Sequence, residues 1–164
     1  MKLKINKKDI IVFDLDKTIW DCEDKYTNSI WAKQIIFPII PIDDNTIIDD
    51  CGSICRLQDG FKEFLNKINK NKLVYLSNGG LLGTDTQHQP SIKLLKHFDI
   101  YNFFSADSIL TYKSWPKKNY FFGNYNYIFF DDDDQHLDDL KNKDNVLCVD
   151  RKKMNQWNDL KIEK

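Results

Sequence analysis

Residues 9–18 read DIIVFDLDKT. The apolar run has the length and β-branched content of a buried strand. It ends on Asp14, and Asp16 and Thr18 follow at intervals of two. Two carboxylates this close repel, and placing them at the edge of an apolar core is costly unless a cation neutralises them. The stretch therefore implies a positive partner that it does not itself supply.

Four more apolar runs recur along the chain: KLVYL (72–76), YNFFS (101–105), YIFF (127–130) and NVLCV (145–149). Helical spacing appears between them in FKEFLNKINK, with Phe61, Phe64, Leu65 and Ile68 on one face. It recurs in SIKLLKHF, with Ile92, Leu94, Leu95 and Phe98, and in QHLDDLKN. Strands alternating with helices predict an α/β fold, a Rossmann-like parallel sheet of about five strands flanked by helices. The alternation breaks between residues 18 and 60. There the prolines of IIFPIIPIDDN oppose a long helix, and TIIDDCGSICRL has two β-prone arms around a glycine turn, predicting a hairpin. The expectation is one domain over 1–164, with a short flap and hairpin over 18–60 and no large cap.

With 164 residues, 41% of them hydrophobic, the chain suits one core. A formal net charge of -1 supplies no overall basic field to draw the protein to nucleic acid or an anionic membrane. The basic N-terminus meets Asp14 after too few apolar residues for a signal-peptide core, and no run is long enough for a membrane helix. Cys22, Cys51, Cys55 and Cys148 form no CxxC pair and read as reduced thiols, so a cytoplasmic protein is expected. The three histidines share no metal spacing, which disfavours zinc, and the four tryptophans read first as packing, with Trp20 and Trp31 flanking the site entrance.

Ligands of open α/β sheets bind beyond the carboxyl ends of the strands. The first strand ends on Asp14 and Asp16, the second on Ser77 and Asn78, and the fourth on Asp131 to Asp134. If the first and fourth are neighbours, at least three carboxylates share a small volume, and a hard divalent cation is what reconciles them; magnesium suits such oxygen donors. Asp133 and Asp134 read instead as acids complementing a helix start. A metal held beside a hydroxyl, the SNGG backbone and a lysine is a site for phosphate. Asp14 could then attack phosphorus, and Asp16 could protonate the leaving oxygen.

DLDKT, LSN, a lysine in YKSWPKK and FFDDDD together resemble, in order, the four motifs of the haloacid dehalogenase (HAD) superfamily of phosphohydrolases. VFDLDKTIW, TIIDDCGSICRL and IFFDDDDQHL are most similar to its magnesium-dependent phosphatase group. The similarity covers about residues 9–150. It implies a HAD-type phosphatase working through an aspartyl phosphate, with Asp14 as nucleophile and Asp16 as acid and base. Ser77, Asn78 and Lys113 would bind the phosphoryl group and Thr18 would brace the loop. Magnesium would be held by Asp131, Asp132, Asp14 and the Asp16 carbonyl. Lys113 is preferred to Lys117 and Lys118 because it falls soonest after the third strand and its SADSIL exit. The sequence departs from the family in the long NGGLLGTDTQHQP segment and in His136, which stands where an asparagine is frequent. The expected partner is a phosphorylated small molecule or phosphoprotein, with nucleic acid disfavoured and no membrane. A polynucleotide end phosphatase and a catalytically silent binding module are the alternatives.

Overall fold

The structure, a computed structural model, describes residues 1–163. Strands β1 (Lys2–Lys4) and β2 (Ile10–Phe13) precede an antiparallel group, β3 (Trp20–Glu23), β4 (Ile39–Asp43), β5 (Thr46–Asp49) and β6 (Ile54–Leu57). Then follow α1 (Phe61–Lys67), β7 (Lys72–Ser77), α2 (Pro90–His97), β8 (Ile109–Leu110), β9 (Tyr127–Asp131), α3 (Asp134–Asp138), β10 (Val146–Asp150) and β11 (Lys161–Glu163). These strands form a five-stranded parallel sheet in the order β10-β9-β2-β7-β8, a four-stranded antiparallel sheet in the order β3-β6-β5-β4, and a β1-β11 pair.

The expected helix-flanked Rossmann-like sheet is therefore corrected. The fold is mixed, with, among the described residues, eleven strands in three sheets and three α-helices of seven, eight and five residues. The helical runs are short because turns interrupt them. Asp99, at φ 55°, closes the chain after α2, and Gly79, Gly80 and Pro116 keep their segments in loops. YNFFS is no strand: Tyr101–Phe103 is a 3-10 turn whose aromatic rings pack on the core, and the edge strand is the later, two-residue β8. Residues 18–60 hold more than a hairpin, since β5 and β6 are the central pair of the antiparallel sheet.

Strand β2 is buried on both faces, as a central parallel strand must be. Its alternation divides the core in two. Ile11 and Phe13 face α1 and the C-terminal segment, where Phe13 stacks on Phe130 at 5.2 Å and Trp157 meets Phe61, Phe64 and Phe130 at about 5 Å. Ile10 and Val12 face Val74, Leu76, Phe121 and Phe129. Replacing Phe13 by alanine removes a ring that meets Phe61, Phe64, Phe104, Phe130 and Trp157, a change that costs about 3–5 kcal/mol in well-packed cores. With both faces occupied, the polar chemistry is confined to the strand ends.

Cys22 and Cys55, directly opposite in β3 and β6, form a disulfide, which corrects the reading of four reduced thiols; Cys51 and Cys148 are free. The pairing comes from strand register across 33 residues, which local cysteine spacing does not reveal. No helix among the described residues is long and apolar enough to cross a membrane.

Candidate active site

β2 and β9 are adjacent and parallel, with Phe13 opposite Phe130, so Asp14 and Asp131 emerge side by side at the same edge of the sheet. The Asp14 amide donates to the Phe130 carbonyl at 2.9 Å, which fixes that register. β7 flanks β2 on the other side and brings Ser77 to the same edge. Asp14, Asp16, Ser77 and Asp131 are all buried, around a cavity of about 590 Å³.

The loop after β2 orders its own carboxylates. Lys17 takes φ 62°, in the left-handed region where a non-glycine residue is strained, and its amide donates to the Trp20 carbonyl at 2.8 Å. This tight return places the Trp20 indole N–H 3.0 Å from Asp16 Oδ1, which also accepts from the Ala32 amide at 2.7 Å. Asp16 Oδ2 has no hydrogen-bond donor among the described residues. It faces Gly79, where an added Cβ would lie 3.0 Å from Oδ2 and 3.3 Å from Ser77 Oγ, so a glycine is what lets the two strand-end loops approach. Thr18 Oγ1 donates to Asp14 Oδ2 at 3.4 Å.

Lys117 provides the positive charge inside the protein. It is 3% exposed, and its ammonium lies 2.6 Å from Asp14 Oδ1 and 2.8 Å from Asp131 Oδ2. Lys113, preferred from the sequence, is exposed with its ammonium over the Tyr112 ring, outside the cluster. Proximity to the third strand misled that choice. The Pro116-capped 3-10 turn Lys117–Tyr120 carries the later lysine inward, and the acids on both neighbouring strands hold it there. Lys118 pairs with Asp139 at the surface.

His136 is the second residue whose place the sequence left open. Its Nδ1 donates to Asp131 Oδ2 at 3.0 Å, and that bond holds the imidazole above its ordinary pKa. Asp131 Oδ1 accepts from the Asp133 amide. Burial pushes Asp131 up, but His136 and Lys117 outweigh it and hold the carboxyl below the usual range. Asp14 goes the other way: burial, reinforced by Asp131 and only partly offset by Lys117, pushes it up to about 7. Burial likewise raises Asp16 against its Trp20 and Ala32 donors, and raises Asp132 with help from Asp131. Lys117 is raised, because its two carboxylates outweigh its own burial.

One ligand oxygen from each of Asp14, Asp131 and Asp132 lies within 4.8 Å of the others, so the three could share a cation. No Asp16 carboxylate oxygen joins that group. Asp133 instead caps α3 through the Gln135 amide, and Asp134 pairs with Lys152 at 2.8 Å. Asn78 lines the cavity with its Oδ1 buried and unpartnered, and Nδ2 reaches the Trp115 carbonyl at 3.4 Å.

No family model matches the chain, and no curated protein matches it.

The residues the sequence could not mark are those acting through backbone or fold. Ala32 contributes only an amide, and Gly79 only the absence of a side chain. Trp20 reads from the sequence as packing or as a substrate contact at the site entrance, whereas the structure sets its indole N–H, four residues after Asp16 in DLDKTIW, on the Asp16 carboxylate.

Proposed function

We propose that the protein is a phosphomonoester hydrolase that uses magnesium and passes through an aspartyl phosphate on Asp14. The convergence of Asp14, Asp131 and Asp132 on one point, with Lys117 buried between the first two, carries this reading. The resemblance of DLDKT, LSN and FFDDDD to HAD motifs supports the same chemistry, with Lys117 in place of Lys113 as the motif lysine.

The donor set fits magnesium: three carboxylate oxygens in one small volume, hard and negatively charged, with no sulfur or imidazole among them. Asp14, Asp131 and Asp132 would hold the ion, which when bound offsets charge on the phosphoryl oxygens. The remaining work falls to side chains of the chain. Lys117 and Ser77 orient the phosphoryl group beside Asp14. An Asp14 carboxylate oxygen attacks phosphorus, forming the aspartyl phosphate as the bond from phosphorus to the leaving oxygen breaks. Asp16 delivers its proton to that leaving oxygen. It then takes a proton from the water that attacks phosphorus, releasing inorganic phosphate and restoring the Asp14 carboxylate. Burial that raises Asp16 suits it to carry this proton, and its free Oδ2 is where the proton would sit.

The test is to mix the protein with magnesium and p-nitrophenyl phosphate, quench in acid and map the adduct by mass spectrometry. One phosphoryl group on Asp14, lost on treatment with hydroxylamine, is expected. Turnover without any adduct on Asp14 would exclude the covalent route.

A further inference from the structure

The cavity that holds the carboxylates does not end at them. A second, more open hollow of about 610 Å³ adjoins it, and the two share Lys17, Asp132 and Lys152 in their walls. Its far wall contains Arg151, whose guanidinium is half-buried and has no carboxylate within salt-bridge distance among the described residues. Gln58 Oε1 accepts from Arg151 Nε, the Met154 carbonyl accepts from Nη1 at 2.7 Å, and the Trp157 ring lies 5.6 Å from the guanidinium carbon. These contacts hold the planar fork in place and leave Nη2 without an acceptor among the described residues. Burial lowers the Arg151 pKa, against the opposing charge of Asp21.

Lys17, at the junction of the two cavities, likewise has no salt-bridge partner among the described residues, its charge reaching Asp132 only at longer range. Its ammonium sits over the exposed face of Trp31, 4.8 Å from the ring centroid. Two cations whose direct contacts are neutral groups, lining one path from the phosphoryl site, form a place for an anion, and the half-buried guanidinium of Arg151 gains most from a fresh partner of opposite charge. Asp21 and Asp132 also line the hollow. They set a limit on the charge it attracts, and Gln58 Nε2 already engages Asp21 at 3.1 Å.

We infer that the substrate is a small phosphomonoester whose leaving group carries a second anionic group, with its phosphoryl group beside Asp14 and its second anion between Lys17 and Arg151. This deepens the phosphatase reading and rests on it. It also gives the site the contacts remote from phosphorus through which an enzyme selects one substrate.

The experiment compares kcat/KM for fructose 1,6-bisphosphate, 3-phosphoglycerate and glucose 6-phosphate with magnesium, in wild type and in the Arg151→Gln and Lys17→Gln variants. Wild type should prefer a dianionic-leaving-group or carboxylate substrate to glucose 6-phosphate by about tenfold or more, and each variant should collapse that ratio towards one, the size of effect charged hydrogen bonds produce. The bisphosphate and the phosphoglycerate distinguish a phosphate from a carboxylate as the second anion. A ratio near one in wild type, or unchanged in both variants, overturns the inference while leaving the phosphatase reading intact. Should Arg151→Gln fail to fold, Lys17→Gln, at the surface, decides alone. Calorimetric titration with fructose 1,6-bisphosphate and with glucose 6-phosphate provides a readout independent of turnover. If nothing is hydrolysed the phosphatase reading fails, and equal affinity for the two ligands then overturns the second-anion site separately. Tighter binding to a 3′-phosphorylated oligonucleotide than to any small bis-anion likewise overturns the choice of a small substrate.

Discussion

The Trp20 indole N–H donates to Asp16 Oδ1 at 3.0 Å, so the first residue of the antiparallel sheet fixes the carboxyl proposed to carry the proton. A donor to the ionised form lowers a carboxyl pKa, and removing it raises that pKa. Trp20→Phe keeps most of the buried ring and deletes the donor. The limb of the pH–kcat profile that reports Asp16 should move up, as expected on losing a hydrogen bond to a charged group. An unmoved profile in a folded variant would separate Asp16 from the proton transfer.

The lysines can be told apart directly. Lys117→Met should lower kcat/KM by roughly 10²–10³-fold, the size seen when one preorganised electrostatic donor is lost from a reacting site. Lys113→Met removes an exposed ammonium over Tyr112 and should leave the rate within about a factor of two, as surface changes do. Assays of both variants on p-nitrophenyl phosphate decide which lysine serves the site.

Asp14 should be costly to the fold when it is charged and no metal is present. Its pKa rises from 3.8 to about 7 through burial and then the Asp131 charge, so the folded state holds a proton that the unfolded chain has lost. Its contribution to stability is therefore present below about pH 4 and fades as pH rises through about 7. In chelator, Asp14→Asn should gain melting temperature over wild type at pH 8 and show little gain at pH 4, while abolishing turnover. Thermal melts of both proteins across this range check the sign.

Magnesium should raise the wild-type melting temperature at pH 8, because an ion held by Asp14, Asp131 and Asp132 would relieve their repulsion and favour the folded state that brings them together. Asp131→Ala should blunt that rise and activity together. Equal melting curves with magnesium and with chelator would mean that the three acids do not take up the ion.

The cystine joins strands at either end of a long excursion. Closing a loop of 33 residues limits the unfolded chain by about 3–4 kcal/mol in the loop-entropy account. Cys22→Ala with Cys55→Ala should lower the urea midpoint accordingly, and reductant should do the same to wild type and nothing to the double variant.

The elements legible in the sequence are those whose signal is local. DIIVF and the acids after it read directly as β2 and its end, and IFFDDDD as β9 and its end, because buried strands and the turns that follow them have distinctive compositions. YNFFS misled because aromatic and apolar residues serve a packed 3-10 turn as well as a strand. The antiparallel sheet is legible only as its central hairpin, since β3 pairs with the distant β6, and β4, though joined to β5 by a tight turn, carries Pro41 in a run whose composition opposes regular structure. At the site, the acids could be read from their strand-end positions. Lys117 could not be separated from its lysine neighbours, because what selects it is burial against Asp14 and Asp131, a tertiary fact.

The central place of β2 in the parallel sheet sets an order of assembly. Ile10 pairs with Lys72 on one side and with Tyr127 on the other, so the strand that ends in the proposed nucleophile is synthesised before both neighbours and gains β9 well after β7. Such distant pairings make for slow folding. Until β9 emerges, Asp14 lacks both Asp131 and the anchored Lys117. A nascent chain therefore exposes the Asp14 and Asp16 carboxylates at the end of a sticky apolar strand, vulnerable to aggregation, and the proposed chemistry would wait until β9 and its preceding turn are in place.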